Sequence, residues 1–181
     1  MQRRISRQPA FAAGYGGHER LLPQGGTCYP IGAGMEIFEK PNEAEVKELL
    51  SASGLPASDI TKQHLAHFFG YGSGGKLEGV VGLELYGDVA LLRSLAVRAD
   101  RSGEGIGSRL VTHAESYARD QGAISLFLLT LTAEAFFRSR GYCAVAREQA
   151  PPAIKATREF AGICPANSTF MVKHLKMDGF M

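Results

Sequence analysis

The segment Leu91–Leu110, LLRSLAVRADRSGEGIGSRL, restricts the fold most, because it joins an apolar strand to a helix through a glycine-rich loop. The apolar run ends at Val97, and the hydrophobic pattern of a helix begins at Gly105. Backbone N–H groups in the first turn of a helix lack helical partners, and the helix dipole favours negative charge there. Because glycines let an anion approach the backbone, the segment predicts a diphosphate site at the start of the helix.

The composition is that of an ordinary globular domain, and it limits the classes of partner. The chain has 181 residues, 45% apolar and 21% charged, with a formal net charge of +2. So small a charge argues against nucleic acid or an anionic membrane surface as a partner. Apolar runs stay below the roughly 18 residues that span a bilayer. Three cysteines without a CxxC pair argue against a disulfide framework or a zinc site, so we expect a cytoplasmic protein without a metal.

Residues 1–34 differ from the rest of the chain. They contain four arginines, seven glycines and one acidic residue, Glu19, and they show no hydrophobic period. They lack the apolar core of a secretory signal, and their arginines fit an organelle transit peptide only loosely. We therefore interpret 1–34 as a flexible extension, 35–176 as the folded domain and 177–181 as a short tail.

Hydrophobic patterning predicts strands and helices from Met35 onward. The predicted strands are Met35–Lys40, one entered through His64–Tyr71, Lys76–Tyr86, Val89–Val97, Ala123–Leu129, Tyr142–Arg147 and Ser168–Leu175. The predicted helices run from an Asn42 cap to Gly54, over Asp59–His64, from Gly105 to Gly122, over Ala133–Arg140 behind a Thr132 cap, and from Pro151 to Phe160. Val89–Val97 is almost wholly apolar, so we expect it in the middle of the sheet.

This order, with the loop Ser102–Gly107 and the AxxFFxxxGY pattern of Ala133–Tyr142, resembles the GNAT family of N-acetyltransferases over Met35–Leu175. The family's loop motif has the form Q/R-x-x-G-x-G/A. Here a serine, Ser102, stands first, and Glu104 is an acid where a base is common. The resemblance implies an α/β (α+β) fold with a mixed, mostly antiparallel sheet of six to seven strands and helices on both faces. It also implies acetyl-CoA as co-substrate and no metal.

The resemblance also assigns residues to acetyl-CoA. The backbone of one strand end binds the pantetheine arm where that strand splays from the next, and an N–H there acts as oxyanion donor. The loop binds the diphosphate, and side chains near the later helix line the acyl arm. The implied cofactor-binding residues are Leu95, Ala96, Val97, Ser102, Gly103, Glu104, Gly105, Ile106, Gly107, Ser108, Thr132, Phe136 and Phe137.

Glu84 and Tyr142 are the candidate catalytic residues. Glu84 is a carboxylate in an otherwise apolar strand, which suits a general base acting directly or through water. The alternative is a solvent-facing alternation with Glu78. The family often places a tyrosine general acid in the helix before the GY, where this chain has Phe137. Tyr142, Tyr86 or water is then the candidate that protonates the departing thiolate. A thiol has a pKa of about 8.5, so its thiolate is a fair leaving group even without full protonation.

Arg93, Ser94 and Arg158 are the candidate substrate-binding residues. An arginine in an apolar strand is costly unless it meets an anion, so Arg93 pairs either with Glu84 or with a substrate carboxylate. Arg158 is a second candidate for that carboxylate, and the alternative for it is a solvated helix face.

Three segments, LLRSLAV, LFLLTLTAEAFF and APPAIKATREF, are similar to sequences of a bacterial subgroup that includes acetyltransferases encoded with arsenic-resistance genes. That subgroup is similar in turn to the acetyltransferase domain of N-acetylglutamate synthases. The implied function is acetyl transfer to a small-molecule amine, amino-acid-like in class, by a chain that binds neither nucleic acid nor membrane and has a homodimer as one option. Two alternatives stay open: N-acetylglutamate synthesis, and a CoA-binding sensor without turnover.

Overall fold

The computed structural model describes residues 34–73 and 76–175; the interpretations given above for residues 1–33 and 176–181 lie outside them. The strands are β1 Glu36–Glu39, β2 Phe68–Ser73, β3 Lys76–Tyr86, β4 Val89–Val97, β5 Ser125–Thr130, β6 Cys143–Ala144 and β7 Thr169–His174. The α-helices are α1 Glu43–Ala52, α2 Ile106–Asp120, α3 Glu134–Arg138 and α4 Pro152–Lys155. Short 3₁₀ helices cover His64–His67, Ala99–Arg101 and Arg147–Gln149, and a π-helical turn covers Glu159–Ile163. None of the described helices is long and apolar enough to cross a membrane.

The strands form one seven-stranded sheet in the order β1-β2-β3-β4-β5-β7-β6. Neighbouring strands pair antiparallel, except β4 and β5, which are parallel. The apolar strand β4 is thus the central one, as its sequence predicts. The mixed, mostly antiparallel sheet confirms the predicted fold class.

Helices cover both faces of this sheet. The adjacent β3 residues Val80 and Val81 belong to two different core clusters, because successive side chains of a strand point to opposite faces. The cluster of Val81 is completed by the apolar side of α2, and that of Val80 by α1. Gly79 lets the start of α2 approach the sheet closely, since a Cβ there would lie 2.8 Å from Ile106 Cγ2.

A β-bulge interrupts β4 at Ser94. Gly82 pairs with Arg93 and Val80 with Ala96, so two residues of β4 stand opposite one of β3. Ser94 has a φ of 56°, the left-handed conformation that accommodates the extra residue. The extra residue reverses the alternation of side chains in the last part of β4. Leu92 and Leu95 therefore both face the core under α2, although an odd spacing would put them on opposite faces of a regular strand.

β4 and β5 diverge just before the bulge. Their pairing ends at Leu91 with Phe127, whereas β5 continues to pair with β7 as far as Thr130 with Thr169. One backbone edge of residues 92–97 therefore has no strand partner among the described residues. This confirms the splayed strand end that the family resemblance implies.

The helix predicted over Asp59–His64 is wrong. That stretch consists of turns, and a 3₁₀ helix follows at His64–His67. The reason is tertiary, because the Asp59 carboxylate accepts a hydrogen bond from Arg93 of β4. A contact between distant segments overrides the local helical pattern.

Two further local predictions are wrong in part. The strand predicted over Tyr142–Arg147 is reduced to β6, because the chain turns into the 3₁₀ helix Arg147–Gln149. The predicted Thr132 cap is also wrong: Thr130 Oγ1 accepts the N–H of Ala133 at 3.0 Å. The hydroxyl two residues earlier reaches the first free N–H of the turn into α3.

Candidate active site

The start of α2 presents free backbone donors. Gly105 is the N-terminal cap of the helix, with a φ of 79° and no side chain hydrogen-bonded to the first turn. Its carbonyl accepts the N–H of Arg109, so the N–H groups of residues 105–108 have no helical partner. Nothing lies within 4 Å of the positions that a Cβ on Gly103 or Gly105 would take. This open, uncapped turn fits a diphosphate.

The acidic residue of the loop is neutralised within the loop. The Arg101 guanidinium meets Glu104 through Nε and Nη2 at 2.8 and 2.7 Å, and its Nη1 lies 2.8 Å from Glu78 of β3. Glu78 is 7% exposed, so the solvent-facing alternation proposed for it is wrong. Glu104 therefore does not present an unpaired charge to the free N–H groups.

The two phenylalanines of α3 lie in different places. Phe137 is 4% exposed and packs edge-on against Tyr142, with 5.4 Å between ring centroids. Phe136 is half-buried and faces α2, since a Cβ on Gly107 would lie 3.6 Å from its ring. Of the two, Phe136 is the one beside the glycine loop. Thr132 is exposed on the segment that leads into α3.

A buried ionic cluster surrounds Arg93. Its Nη1 lies 2.5 Å from Glu84 Oε1, and its Nη2 lies 2.6 Å from Asp59 Oδ2 and 3.1 Å from Glu159 Oε1. The side chains of Arg93 and Asp59 are each 1% exposed. Of the two anions predicted for Arg93, the structure shows Glu84, while its Nε donates to Ser94 Oγ at 3.3 Å. With its side chain 1% exposed, Arg93 is enclosed and not open to direct contact with a substrate carboxylate.

Sequence reasoning missed Asp59 and Glu159. Both come from segments without regular α-helix or strand, and Glu159 lies at the start of the π-helical turn. The signal in the sequence was Arg93 itself, because a buried guanidinium needs anionic partners. It does not show which carboxylates of the chain those partners are.

The charges in this cluster are unbalanced, with three carboxylates around one guanidinium. Burial raises the pKa of Glu159, and Arg93 offsets this only in part because Asp59 and Glu84 repel the charged form. Burial opposes the charge of Arg93 as well, but the carboxylates around it raise its pKa above the ordinary value. Glu159 therefore favours its protonated form more than an ordinary glutamate does.

Glu84 of this cluster is level with the start of the strand opening. It pairs with Leu91, which is also the last β4 residue paired with β5. Tyr86 donates to Glu84 Oε2 at 2.6 Å, and His64 Nε2 lies 3.9 Å from Oε1. Burial, together with this carboxylate, raises the pKa of Tyr86, so its phenol keeps the proton that it donates. Arg93 and Tyr86 thus orient both oxygens of Glu84.

Tyr142 does not reach this opening. Its side chain is 1% exposed in the core under α2, and burial raises its pKa. A general acid must contact the leaving group, so the structure argues against the catalytic role predicted for Tyr142. Arg158 is exposed and precedes Glu159 in the chain.

The raised pKa of Glu159 predicts a pH-dependent stability. A carboxyl whose pKa is raised on folding contributes stability at low pH, and this contribution is lost as the pH rises through the raised pKa. Glu159→Gln is uncharged throughout, so its free energy of unfolding should increase relative to wild type as the pH rises from about 4, the ordinary pKa of a free glutamate, towards the raised pKa of Glu159. Urea denaturation across this range measures the difference.

The matched control is Glu43→Gln on α1. A hydrogen bond from Lys47 lowers the pKa of Glu43, so the sign reverses and this variant should lose stability relative to wild type as the pH rises. A pH-independent difference for Glu159→Gln would contradict the assignment of its proton.

Comparison with known proteins identifies the family. The acetyltransferase (GNAT) family model matches residues 34–142. An uncharacterized N-acetyltransferase of Chlorobaculum tepidum is 33% identical over 93 residues, which cover 51% of this chain and 59% of that protein. N-acetylglutamate synthase of Neisseria gonorrhoeae, complexed with coenzyme A and N-acetyl-glutamate, aligns with a TM-score of 0.67 at 22% identity, covering 81% of this chain and 36% of that one.

A second solved structure is similar over its full length. An aminoglycoside 6'-N-acetyltransferase complexed with coenzyme A has a TM-score of 0.62 at 17% identity, covering 81% of this chain and 100% of that one. At such identities the two structures show a shared fold. The family model matches more than half of the sequence, and with it the uncapped loop and the splayed strand have a common explanation: this chain belongs to the acetyltransferase (GNAT) family.

Proposed function

We propose that this chain is an acetyl-CoA-dependent N-acetyltransferase that acylates the amine of a small molecule. The observation that carries the proposal is the continuity of the free β4 edge with the uncapped start of α2. Leu95–Val97 offers backbone groups to an extended pantetheine arm, and residues 103–108 offer N–H groups to the diphosphate. Two neighbours of this fold that were solved with coenzyme A support the assignment.

Glu84 is the proposed general base. Acetyl transfer requires a neutral amine to attack the thioester carbonyl, so one proton must leave the amine. The Glu84 carboxylate accepts it directly or through water, and Arg93 and Tyr86 hold the carboxylate in place. An N–H at the strand opening stabilises the oxyanion. Because Tyr142 is buried and the Tyr86 phenol keeps its proton on Glu84, water returns a proton to the departing thiolate.

The acceptor class is a finer proposal. An amino-acid-like amine fits a site with an arginine for its carboxylate, and Arg158 is the exposed candidate beside the Arg93 cluster. Glutamate and the organoarsenical amines suggested by the three sequence segments are members of this class. The expectation that the site needs no metal stays a prediction.

A panel of amines with acetyl-CoA tests the function. We expect thiol release that depends on the amine, with glutamate, other amino acids, organoarsenical amines and aminoglycosides compared side by side. Preference for glutamate would favour N-acetylglutamate synthesis. A thermal shift with CoA but no thiol release from any amine would favour the sensor, and the absence of both responses would overturn the proposal.

Substituting Gly105 tests the diphosphate site. A glutamate side chain at this position would place a carboxylate among the free N–H groups, so Gly105→Glu should abolish CoA binding in a calorimetric titration. Gly87→Glu in the β3–β4 turn is the matched control, because Gly87 has a similar φ of 70° and equally open surroundings. Both variants bear a strain of about 1–2 kcal/mol for a left-handed side chain. Equal affinity of Gly105→Glu and wild type for CoA would refute the site.

Substituting Glu84 tests the base. Glu84→Gln should lower turnover by about 10²-fold or more near neutral pH, and less at high pH, where the free amine is already neutral. Glu159→Gln alters another carboxyl partner of Arg93 and leaves Glu84 in place, so it is the control. An equal loss at both pH values, or the same profile in both variants, would mean that Glu84 acts only through Arg93.

A further inference from the structure

The cations within the glycine loop are already paired. Arg101 binds Glu104 and Glu78, and Arg98 binds Asp100 at 3.1 Å. A diphosphate at the start of α2 would therefore meet backbone N–H groups but no free arginine of the loop. A second source of positive charge would have to come from another element.

Arg140, just beyond α3, is such a source. Its Nη2 contacts Ser108 Oγ in the first turn of α2, and its Nη1 lies 3.4 Å from Ser139 Oγ. Within 34–73 and 76–175 no carboxylate lies at ion-pair distance from this guanidinium. It is a half-buried positive charge beside the free N–H groups, with hydroxyls as its polar partners.

The core holds Arg140 in this position. Its Cζ lies 4.0 Å from the centre of the Phe136 ring, within the range of a cation–π contact. Phe136 packs edge-on against Phe137 at 5.1 Å between centroids, and Phe137 is 4% exposed. The same Phe136 ring faces Gly107 in the first turn of α2. Arg140 and the glycine loop are therefore positioned by one aromatic contact.

We propose that Arg140 is the side-chain cation that binds the diphosphate of acetyl-CoA. The inference rests on the proposed function and adds a specificity-determining residue to it. A guanidinium bound to a phosphate oxygen makes charge-assisted hydrogen bonds, and these complement the N–H groups of residues 105–108. The Ser108 hydroxyl holds the guanidinium towards the site until the anion replaces that contact.

Three probes with one variant test this role. Arg140→Ala should raise the Kd of CoA and of dephospho-CoA about tenfold or more, the loss expected for a charged hydrogen bond, and leave the Kd of pantetheine unchanged. The matched control is Arg138→Ala, because Arg138 is exposed at the end of α3, two residues before Arg140, and pairs with Glu134 at 2.5 Å. Thermal unfolding of both variants monitors folding, and Arg140→Lys should restore part of the affinity.

The outcomes separate this inference from the proposed function. If wild type binds none of the probes, the proposed function fails. If wild type binds CoA and Arg140→Ala binds it equally well, only the role of Arg140 fails. A loss seen for CoA but not for dephospho-CoA would move the contact to the 3'-phosphate, and an equal loss in Arg138→Ala would reduce it to general surface charge; either result overturns the proposal.

Discussion

The contact between Arg93 and its three carboxylates is the interaction on which the arrangement of the site depends. It joins the central strand to β3, to the segment after α1 and to the π-helical turn. Removing the guanidinium would leave buried carboxylates without a counter-charge, a change that typically costs about 3–5 kcal/mol. The cluster also holds Glu84 against the point where β4 and β5 diverge. One buried cation thus supports the fold and orients the proposed base.

The backbone, more than the side chains, forms the proposed cofactor site. The bulge at Ser94 keeps Leu95 and Val97 in the core, while the divergence of β4 from β5 leaves one edge of the same residues free. This explains why Ser102 and Glu104 are compatible with the family's loop. The N–H donors do not depend on those side chains, and Arg101 neutralises the acid.

Local patterns predicted the elements that are long and continuous. The hydrophobic period and the turn residues at each end predicted the bounds of β3 and β4 and the helix after the glycine loop. Short or irregular segments were not: the turns around Asp59 and the two-residue β6 depend on partners far away in the chain. The candidate site shows the same division, because the sequence proposed Glu84 and the loop as its parts but did not assign Asp59, Glu159 or Arg140 to it.

The sequence by itself determined the strand–loop–helix unit and the free backbone donors at the start of its helix, because these follow from glycine, hydrophobic period and the unpaired groups of a helix end. Only the tertiary structure decided which charges remain available there. Arg93 and Arg101 form ion pairs with carboxylates, and Tyr142 is buried in the core. Arg140 contacts Ser108 in the first turn of the helix after the loop. The physical reason is that pairing and burial depend on distances between segments remote in the chain, which no local pattern encodes.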